Sequence, residues 1–324
     1  MKKIIFAFCI MLIGLLSLVS CGNEKVYEIV ATNFAGYDAS MSVLYGNNRN
    51  SSYDKVKMLI KPNSDIHSYQ PSATDKRAIA KSKLFIYVGG ESDSEWVSDL
   101  LVGNKNSFKI INMFEVLKDK LILEEGEEDE YDEHVWLDPS NYKMIINAIK
   151  DEMIKIDSDN KDKYIKNTEA VISSIDTMDN NMKQIIKENN ITDILVADRN
   201  PFAYFGKYYG INVTGALKGC SSDKSVPLMK IVELKNLVEE KRFFSIYKIE
   251  LSDGAIAKSI YDEVLNDIDN KKYNTVAPTI RILYSMQNIS LEDFNKGMTY
   301  VDYMQHNSEV ISKVYKLDIA GYIS

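Results

Sequence analysis

The sequence has few of the residues that build disulfides, and few that ligate metals through nitrogen or sulfur. Its 324 residues include three cysteines and three histidines, and the formal net charge is −8. Cys9 and Cys21 lie within or directly after the N-terminal apolar run, so Cys220 stands alone and no intramolecular disulfide is predicted in the processed chain. The acidic balance argues against binding to nucleic acid and against a basic face that would bind a membrane.

Common catalytic motifs are missing too. The chain has no H-E-x-x-H, no nucleophile elbow and no paired carboxylates with an evident general-base role. The enzyme interpretation that remains is a catalytic zinc held by His67, His134 and a carboxylate, with one position open for water. The missing motifs favour binding without turnover.

A second long apolar run is also missing, and the one present is N-terminal. Lys2 and Lys3 precede residues 4–19, which are too short and wrongly flanked for a permanent membrane span. The run ends in Leu18-Val19-Ser20-Cys21-Gly22, which resembles the lipobox of a bacterial lipoprotein.

That resemblance implies a signal peptide over residues 1–20, a lipid on Cys21 and a short tether over 21–26. The protein is then expected outside the cell membrane, anchored by its lipid. A plain secretory signal cleaved nearby, or a buried apolar strand, stays open as an alternative.

The rest of the chain alternates between short apolar runs and amphipathic segments. Runs of buried-strand character are followed by helical patterns, first over residues 27–112 and again from residue 194 onward. This alternation predicts βαβ units, with mostly parallel sheets that helices flank on both faces.

Between the two alternating regions lies one long helical pattern, from about Lys161 to Glu188. Its apolar residues recur every three or four positions, as on one face of an amphipathic helix: Val171, Ile175, Met178, Met182 and Ile185. A continuous helix there would be about 40 Å long at ~1.5 Å per residue. We therefore predict an α/β protein of two lobes, 27–158 and 191–324, joined by one long rigid helix over 159–190, with a cleft between the lobes.

His67 and His134 each lie just before a helix start. Asp138 has the character of an N-cap with Pro139 at the first helical position, and this helix start holds the connection that carries His134. Strand-to-helix connections are where parallel sheets present ligands, and an imidazole fixed there suits a metal. An ordinary hydrogen-bonded histidine is the alternative.

The two histidine segments resemble a known family. Asp65-Ile66-His67-Ser68-Tyr69-Gln70-Pro71 and His134-Val135-Trp136-Leu137-Asp138-Pro139 are similar to the D-x-H-x-Y-x-P and H-V-W-L-D-P segments of metal-specific substrate-binding lipoproteins of bacterial ABC importers, the zinc and manganese class. Residues 202–211 and 297–307 resemble further segments of that family. The resemblance covers nearly the whole processed chain, and it implies the same two-lobed fold.

The resemblance carries over two ligands, His67 and His134, and fails at two others. Arg199 stands where the family has a third ligand, and a guanidinium cannot ligate a metal. Tyr284 stands at the fourth position, and a phenol is a poor ligand near neutral pH. The acidic run over residues 124–130 lacks the family's histidines and is expected to be a solvated loop.

Three interpretations of this site remain open. Asp198 or Glu250 could supply the missing carboxylates; Arg199 could help hold an anion or a metal chelate; or the site could have decayed in a surface-displayed interaction protein. For Asp198 the plain alternative is an ion pair with Arg199, and for Glu250 a helix cap.

Two further residues have plain alternatives as well. His306 is expected to be solvated on a helix. Cys220 could bind a soft metal, but a buried thiol is favoured.

From the resemblance we expect an extracytoplasmic binding protein, a monomer, that captures Zn2+ first and Mn2+ second. The expected ligands are His67 and His134, which the resemblance implies, together with Asp198 and Glu250 as the carboxylates that replace the two ligands it does not carry over. It would deliver the metal to an ABC permease in the membrane. The alternative is a member with a degenerate site that binds a chelate or an anion, or that acts in surface interaction.

Overall fold

The computed structural model describes residues 25–49, 54–64, 66–104, 108–219, 225–270, 272, 277–287 and 289–315. The leader with Cys21, and also Asp65 and Cys220, lie outside the described residues. None of the helices in the described part of the chain combines the length and apolarity needed to cross a bilayer.

The first sheet is wholly parallel, with strand order β2-β1-β3-β4. Its strands are β1 (Ile29–Ala31), β2 (Val56–Met58), β3 (Leu84–Tyr87) and β4 (Lys109–Asn112). The helices of this half are α1 (Phe34–Tyr45), α2 (Ala73–Lys81), α3 (Glu91–Asn104), α4 (Met113–Leu117) and α5 (Pro139–Ile156). The central strands β1 and β3 are apolar and almost fully buried because both faces of the sheet are covered there, whereas Lys109 and Ile110 of the edge strand β4 are exposed.

A single helix of 28 residues, α6 (Lys161–Glu188), connects the two halves. The predicted apolar stripe is its buried face, with Val171, Ile175, Met178 and Met182 all inaccessible to solvent. Packing of this stripe, more than local propensity, stabilises so long a helix.

The second sheet is also parallel, in the order β6-β5-β7-β8. Its strands are β5 (Asp193–Asn200), β6 (Asn212–Lys218), β7 (Ser245–Ile249) and β8 (Thr279–Leu283). The helices are α7 (Ala203–Tyr209), α8 (Leu228–Lys241), α9 (Ala255–Asp269), α10 (Leu291–Lys296) and α11 (Tyr300–Tyr315). The prediction of two parallel αβ lobes and one long helix is confirmed.

One hydrophobic core runs through both halves. It extends without interruption from Ile29 in β1, across the buried face of α6, to Ile311 in α11. Because close-packed interiors deform little, this shared core holds the two sheets in a nearly fixed relation and places the ends of their strands opposite each other.

Strands β5 and β6 are longer than the sequence pattern predicts. The apolar run ends at Ala197, yet pairing continues to Asn200 opposite Lys218, past an irregularity between Val196 and Arg199. Hydrogen bonding to a neighbouring strand extends β5 beyond its apolar residues, which local periodicity cannot show.

Candidate metal centre between the two sheets

Local helix-start chemistry positions the segment that carries His134. The Asp138 carboxylate accepts hydrogen bonds from the backbone N–H groups of Ser140 (2.7 Å) and Asn141 (3.3 Å), with Pro139 as the first residue of α5. Asp138 is therefore the N-cap, as predicted. A 3₁₀ turn over Val135–Leu137 lies directly before it, and its three side chains are fully buried.

The loop after β2 carries His67 and is fastened to the other half of the molecule. The Asn63 N–H donates to the carbonyl of Ile289 (2.9 Å), and the Asn63 side chain accepts from the N–H of Leu291 (3.2 Å). Beyond His67, Ser72 and Asp75 form a capping box that begins α2. His67 thus lies between a helix start and an interlobe contact.

The two imidazoles converge. Their ring centroids are 6.1 Å apart, and both Nε2 atoms face one oxygen, Oε1 of Gln287, at 2.9 Å from His134 and 3.4 Å from His67. His134 is buried and His67 is half-buried. The structure therefore brings together two of the four predicted ligands, around a residue of the second lobe.

Asp132 orients the ring of His134. Its Oδ1 accepts from the backbone N–H of His134 (2.7 Å) and lies 3.1 Å from His134 Nδ1. Burial lowers the pKa of His134, but the charge and hydrogen bond of Asp132 outweigh it, so that the pKa lies above the usual value of 6.5. A carboxylate on the far ring nitrogen is the usual way to fix the tautomer of a metal-binding imidazole.

Gln287 is the site residue that the sequence analysis missed. It follows β8 in a segment that is fixed to the first lobe, because the Trp136 indole N–H donates to the carbonyl of Ser285 (2.8 Å). Its position in the sequence, just beyond the carboxyl end of a predicted strand of the second sheet, could have indicated it, because parallel sheets present ligands there.

Glu250 and Asp198 do not join the histidines. Glu250 accepts from the Ser285 N–H and hydroxyl, both at 2.7 Å, and Asp198 Oδ1 accepts from the backbone N–H of Arg199 (2.9 Å). Within the described ranges no three His, Cys, Asp or Glu side chains form a group that could hold a metal ion. The predicted four-ligand cluster is therefore not present in this arrangement.

The helix-cap interpretation of Glu250 is corrected as well. Ser252 Oγ accepts from the N–H of Gly254 (3.1 Å), and Asp253 accepts from the N–H of Ala255 (2.9 Å). These two residues satisfy the start of α9, while Glu250 points toward Ser285.

Tyr284 packs into an aromatic group with Tyr303 and His306 and forms no ring contact with His67 or His134 among the contacts of the described residues. Its ring lies 4.7 Å from that of Tyr303 and 4.9 Å from that of His306. Burial, together with the charge of Asp293, raises the pKa of the Tyr284 phenol above 10. The phenol stays protonated at neutral pH, in keeping with the prediction that it is a poor ligand.

The acidic run is more fixed than a solvated loop would be. Leu123 and Tyr131 form an antiparallel bridge, Glu124 is buried and accepts from the N–H of Gly219 (3.0 Å), and Glu127 pairs with Lys218. These contacts attach the run to the end of β6. The expectation of a solvated loop is therefore wrong for the buried Glu124, whereas residues 125–126 and 128–130 are exposed as expected.

The chain matches, over residues 37–314, the family described as "ZnuA: Zinc-uptake complex component A periplasmic". A match of this extent places the chain in that family, and the resemblance drawn from the two histidine segments is confirmed.

Two curated relatives illustrate the similarity. The chain is 25% identical over 312 residues to the manganese-binding lipoprotein MntA of Halalkalibacterium halodurans, covering 95% of this chain and 97% of the relative. It is also 25% identical over 315 residues to the zinc-binding lipoprotein AdcA of Streptococcus pneumoniae, covering 92% of this chain but 58% of AdcA.

The fold recurs in solved structures. The periplasmic zinc-binding protein TroA of Treponema pallidum superposes with a TM-score of 0.73 at 19% identity, covering 90% of this chain and 99% of TroA. At this identity the likeness supports the fold alone.

Proposed function

We propose that this protein captures a divalent transition metal outside the cell membrane, zinc before manganese, and passes it to an ABC permease. The observation that carries the proposal is the convergence of two imidazole nitrogens, from His67 and His134, on one oxygen atom between the lobes. Zinc accepts imidazole readily, whereas manganese depends more on oxygen ligands.

Anchoring and assembly form part of the same proposal. A lipid on Cys21 would hold the protein at the outer face of the membrane by a tether over residues 21–26, with lobes over 27–158 and 191–324 and the connecting helix over 159–190. We further propose that it acts as a monomer and as a carrier with no catalytic turnover. Because the shared core spans α6 and deforms little, we expect only small lobe movements during capture and release.

A second function is favoured by one observation. Because no three His, Cys, Asp or Glu side chains of the described residues converge, the site offers fewer strong ligands than a structural zinc site requires. A member of this family with such a site could instead act in surface interaction, or bind a chelate or an anion.

The test is a titration of the purified protein with Zn2+ and with Mn2+, beside the double variant His67→Ala/His134→Ala. His306→Ala is the matched control, since it removes the third histidine of the chain. One-to-one binding that the double variant loses and His306→Ala keeps supports metal capture, and zinc should bind more tightly.

A wild-type protein that binds neither metal more tightly than the double variant does would overturn metal capture. It would leave the interaction function as the better proposal. Metal-dependent thermal stabilisation gives a second measurement, because a ligand at ~1,000 times its Kd stabilises the folded state by about 4 kcal/mol.

A further inference from the structure

A recess apart from the metal centre lies where the long helix meets both lobes. Its volume is about 230 Å3, and none of the described residues that line it belongs to the metal centre. Its walls come from α1 and the turn after it, from α5 and α6, and from the start of α11, the last helix of the second lobe. A molecule bound in this recess would therefore contact both lobes and the helix that joins them.

The first lobe presents a fixed positive charge to the recess. Arg49 forms an ion pair with Asp38, which also accepts from the Tyr142 hydroxyl (2.5 Å). The Arg49 guanidinium further donates through Nε to the carbonyl of Gly46 (3.2 Å) and through Nη2 to Ser42 Oγ (2.5 Å). These contacts hold the guanidinium in one position.

The guanidinium keeps donors in reserve. It has five N–H groups, and the contacts with Asp38, Gly46 and Ser42 use one on each nitrogen. One N–H on each of the two terminal nitrogens thus forms no hydrogen bond with a described residue. Two N–H groups of one guanidinium are what a carboxylate accepts in a bidentate pair.

The second lobe presents a negative charge to the same recess. Asp302 lies in the first turn of α11, and its Oδ2 accepts from the N–H (2.8 Å) and the hydroxyl (2.7 Å) of Thr299. Its Oδ1 accepts no hydrogen bond from the described part of the chain. The carboxylate is therefore held in place by Thr299, while one oxygen remains for an ammonium group.

The buried ion pair has a structural role, but that role leaves these groups unused. The pair between Arg49 and Asp38 fastens the turn after α1 to the helix, and the Arg49 side chain is only 11% exposed. A buried charge is stabilised best when all its hydrogen-bonding groups have partners. Water can partner the unused groups singly, whereas one molecule with a carboxylate and an ammonium group partners both charges at once.

The volume of the recess limits the size of its ligand. A water molecule occupies about 30 Å3 in the liquid, so the recess has room for roughly seven or eight groups of that size. Val171, Ile175 and Val301 supply apolar parts of the wall. The recess thus combines both signs of charge with apolar surface, on the scale of one small organic molecule.

We infer that this recess binds a small zwitterion of the size and charge pattern of a free α-amino acid, with its carboxylate on Arg49 and its ammonium group on Asp302. This site goes beyond the proposed function and does not depend on it. Because the ligand contacts both lobes, it should also stabilise the folded protein against heat.

The experiment titrates the metal-free protein with L-serine and follows binding by saturation-transfer NMR. Two analogues each lack one charge: ethanolamine has no carboxylate, and 3-hydroxypropionate has no ammonium group. Asp302→Asn removes the negative charge of the recess, and Ser174→Leu fills its volume. The matched controls are Glu309→Gln, exposed on α11, and Ser173→Leu, exposed on α6. Thermal unfolding without ligand shows whether each variant is folded.

We expect L-serine to bind at least tenfold more tightly than either analogue, because each analogue loses one charge-assisted contact. Asp302→Asn should weaken L-serine binding at least tenfold, and Ser174→Leu should abolish it. Glu309→Gln and Ser173→Leu should bind L-serine as the wild type does.

Four results would overturn the inference. The first is a wild-type protein that shows no saturable binding of L-serine, and the second is an analogue that binds within tenfold of L-serine. The third is a folded Asp302→Asn or Ser174→Leu protein whose affinity lies within tenfold of the wild type, and the fourth is an equal loss in the controls. Failure of metal capture is separate, because it would appear as a wild type that does not bind zinc.

Discussion

Replacing Glu250 separates a structural carboxylate from a metal ligand. Its two oxygens accept from the N–H and the hydroxyl of Ser285, each at 2.7 Å, and both residues are buried. Glu250→Ala leaves these two donors without that acceptor. A buried donor left unsatisfied costs about 1–3 kcal/mol, so we expect the free energy of unfolding to fall by about 3 kcal/mol.

The assay is urea denaturation of the metal-free protein together with a zinc titration, on Glu250→Ala, Ser285→Ala and the double variant. Glu263→Ala, exposed on α9, is the control and should change neither quantity. Because Glu250 and Ser285 share one contact, their stability effects should be less than additive, with a coupling of about 1–3 kcal/mol.

Zinc affinity decides between the two roles. If Glu250 acts through Ser285, the two single variants should weaken zinc binding by similar factors, since each loosens the segment that leads to Gln287. A loss in Glu250→Ala that exceeds the loss in Ser285→Ala by a hundredfold or more, with little change in stability, would refute this reasoning. Glu250 would then be a ligand, as the sequence analysis predicted.

Two further predictions concern the first lobe. Trp136→Phe removes the indole N–H bond to the carbonyl of Ser285 (2.8 Å), so it should lower both zinc affinity and the free energy of unfolding, the latter by about 1 kcal/mol. Trp96→Phe is the control because its indole bond stays within one helix (3.3 Å), and it should lower stability alone. Equal zinc affinity in the two variants would contradict the interlobe role of Trp136. Burial raises the pKa of Asp93 to about 7, so the folded state binds more protons than the unfolded chain between about pH 4 and 7. The free energy of unfolding should therefore fall as pH rises through that window, by up to about 1.4 kcal/mol per pH unit. Asp93→Asn should flatten this pH dependence in urea titrations while Asp99→Asn, exposed on the same helix, keeps it; an unchanged slope in Asp93→Asn contradicts the assignment.

The elements of this protein were predictable because their signals are local. The Asp138-Pro139 helix start, the glycine stop after Tyr45 and the apolar stripe of α6 each depend on residues within a few turns of one another. The alternation of strand and helix then restricts the chain to parallel sheets, whose strand ends present ligands. His67 lies in the connection between β2 and α2 as predicted, but the prediction of a strand-to-helix connection is wrong for His134, because α4 and a 3₁₀ turn over Lys118–Lys120 lie between β4 and His134.

The completion of the site was decided only by tertiary structure. Gln287 meets two histidines more than 150 residues earlier in the chain because the shared core aligns the two sheets and Met286 takes a left-handed backbone conformation. Glu250 forms hydrogen bonds with Ser285, a residue of a different segment, and does not join His67 and His134. Sequence determines which side chains stand near strand ends, but the direction in which each one points depends on neighbours that only the folded chain supplies.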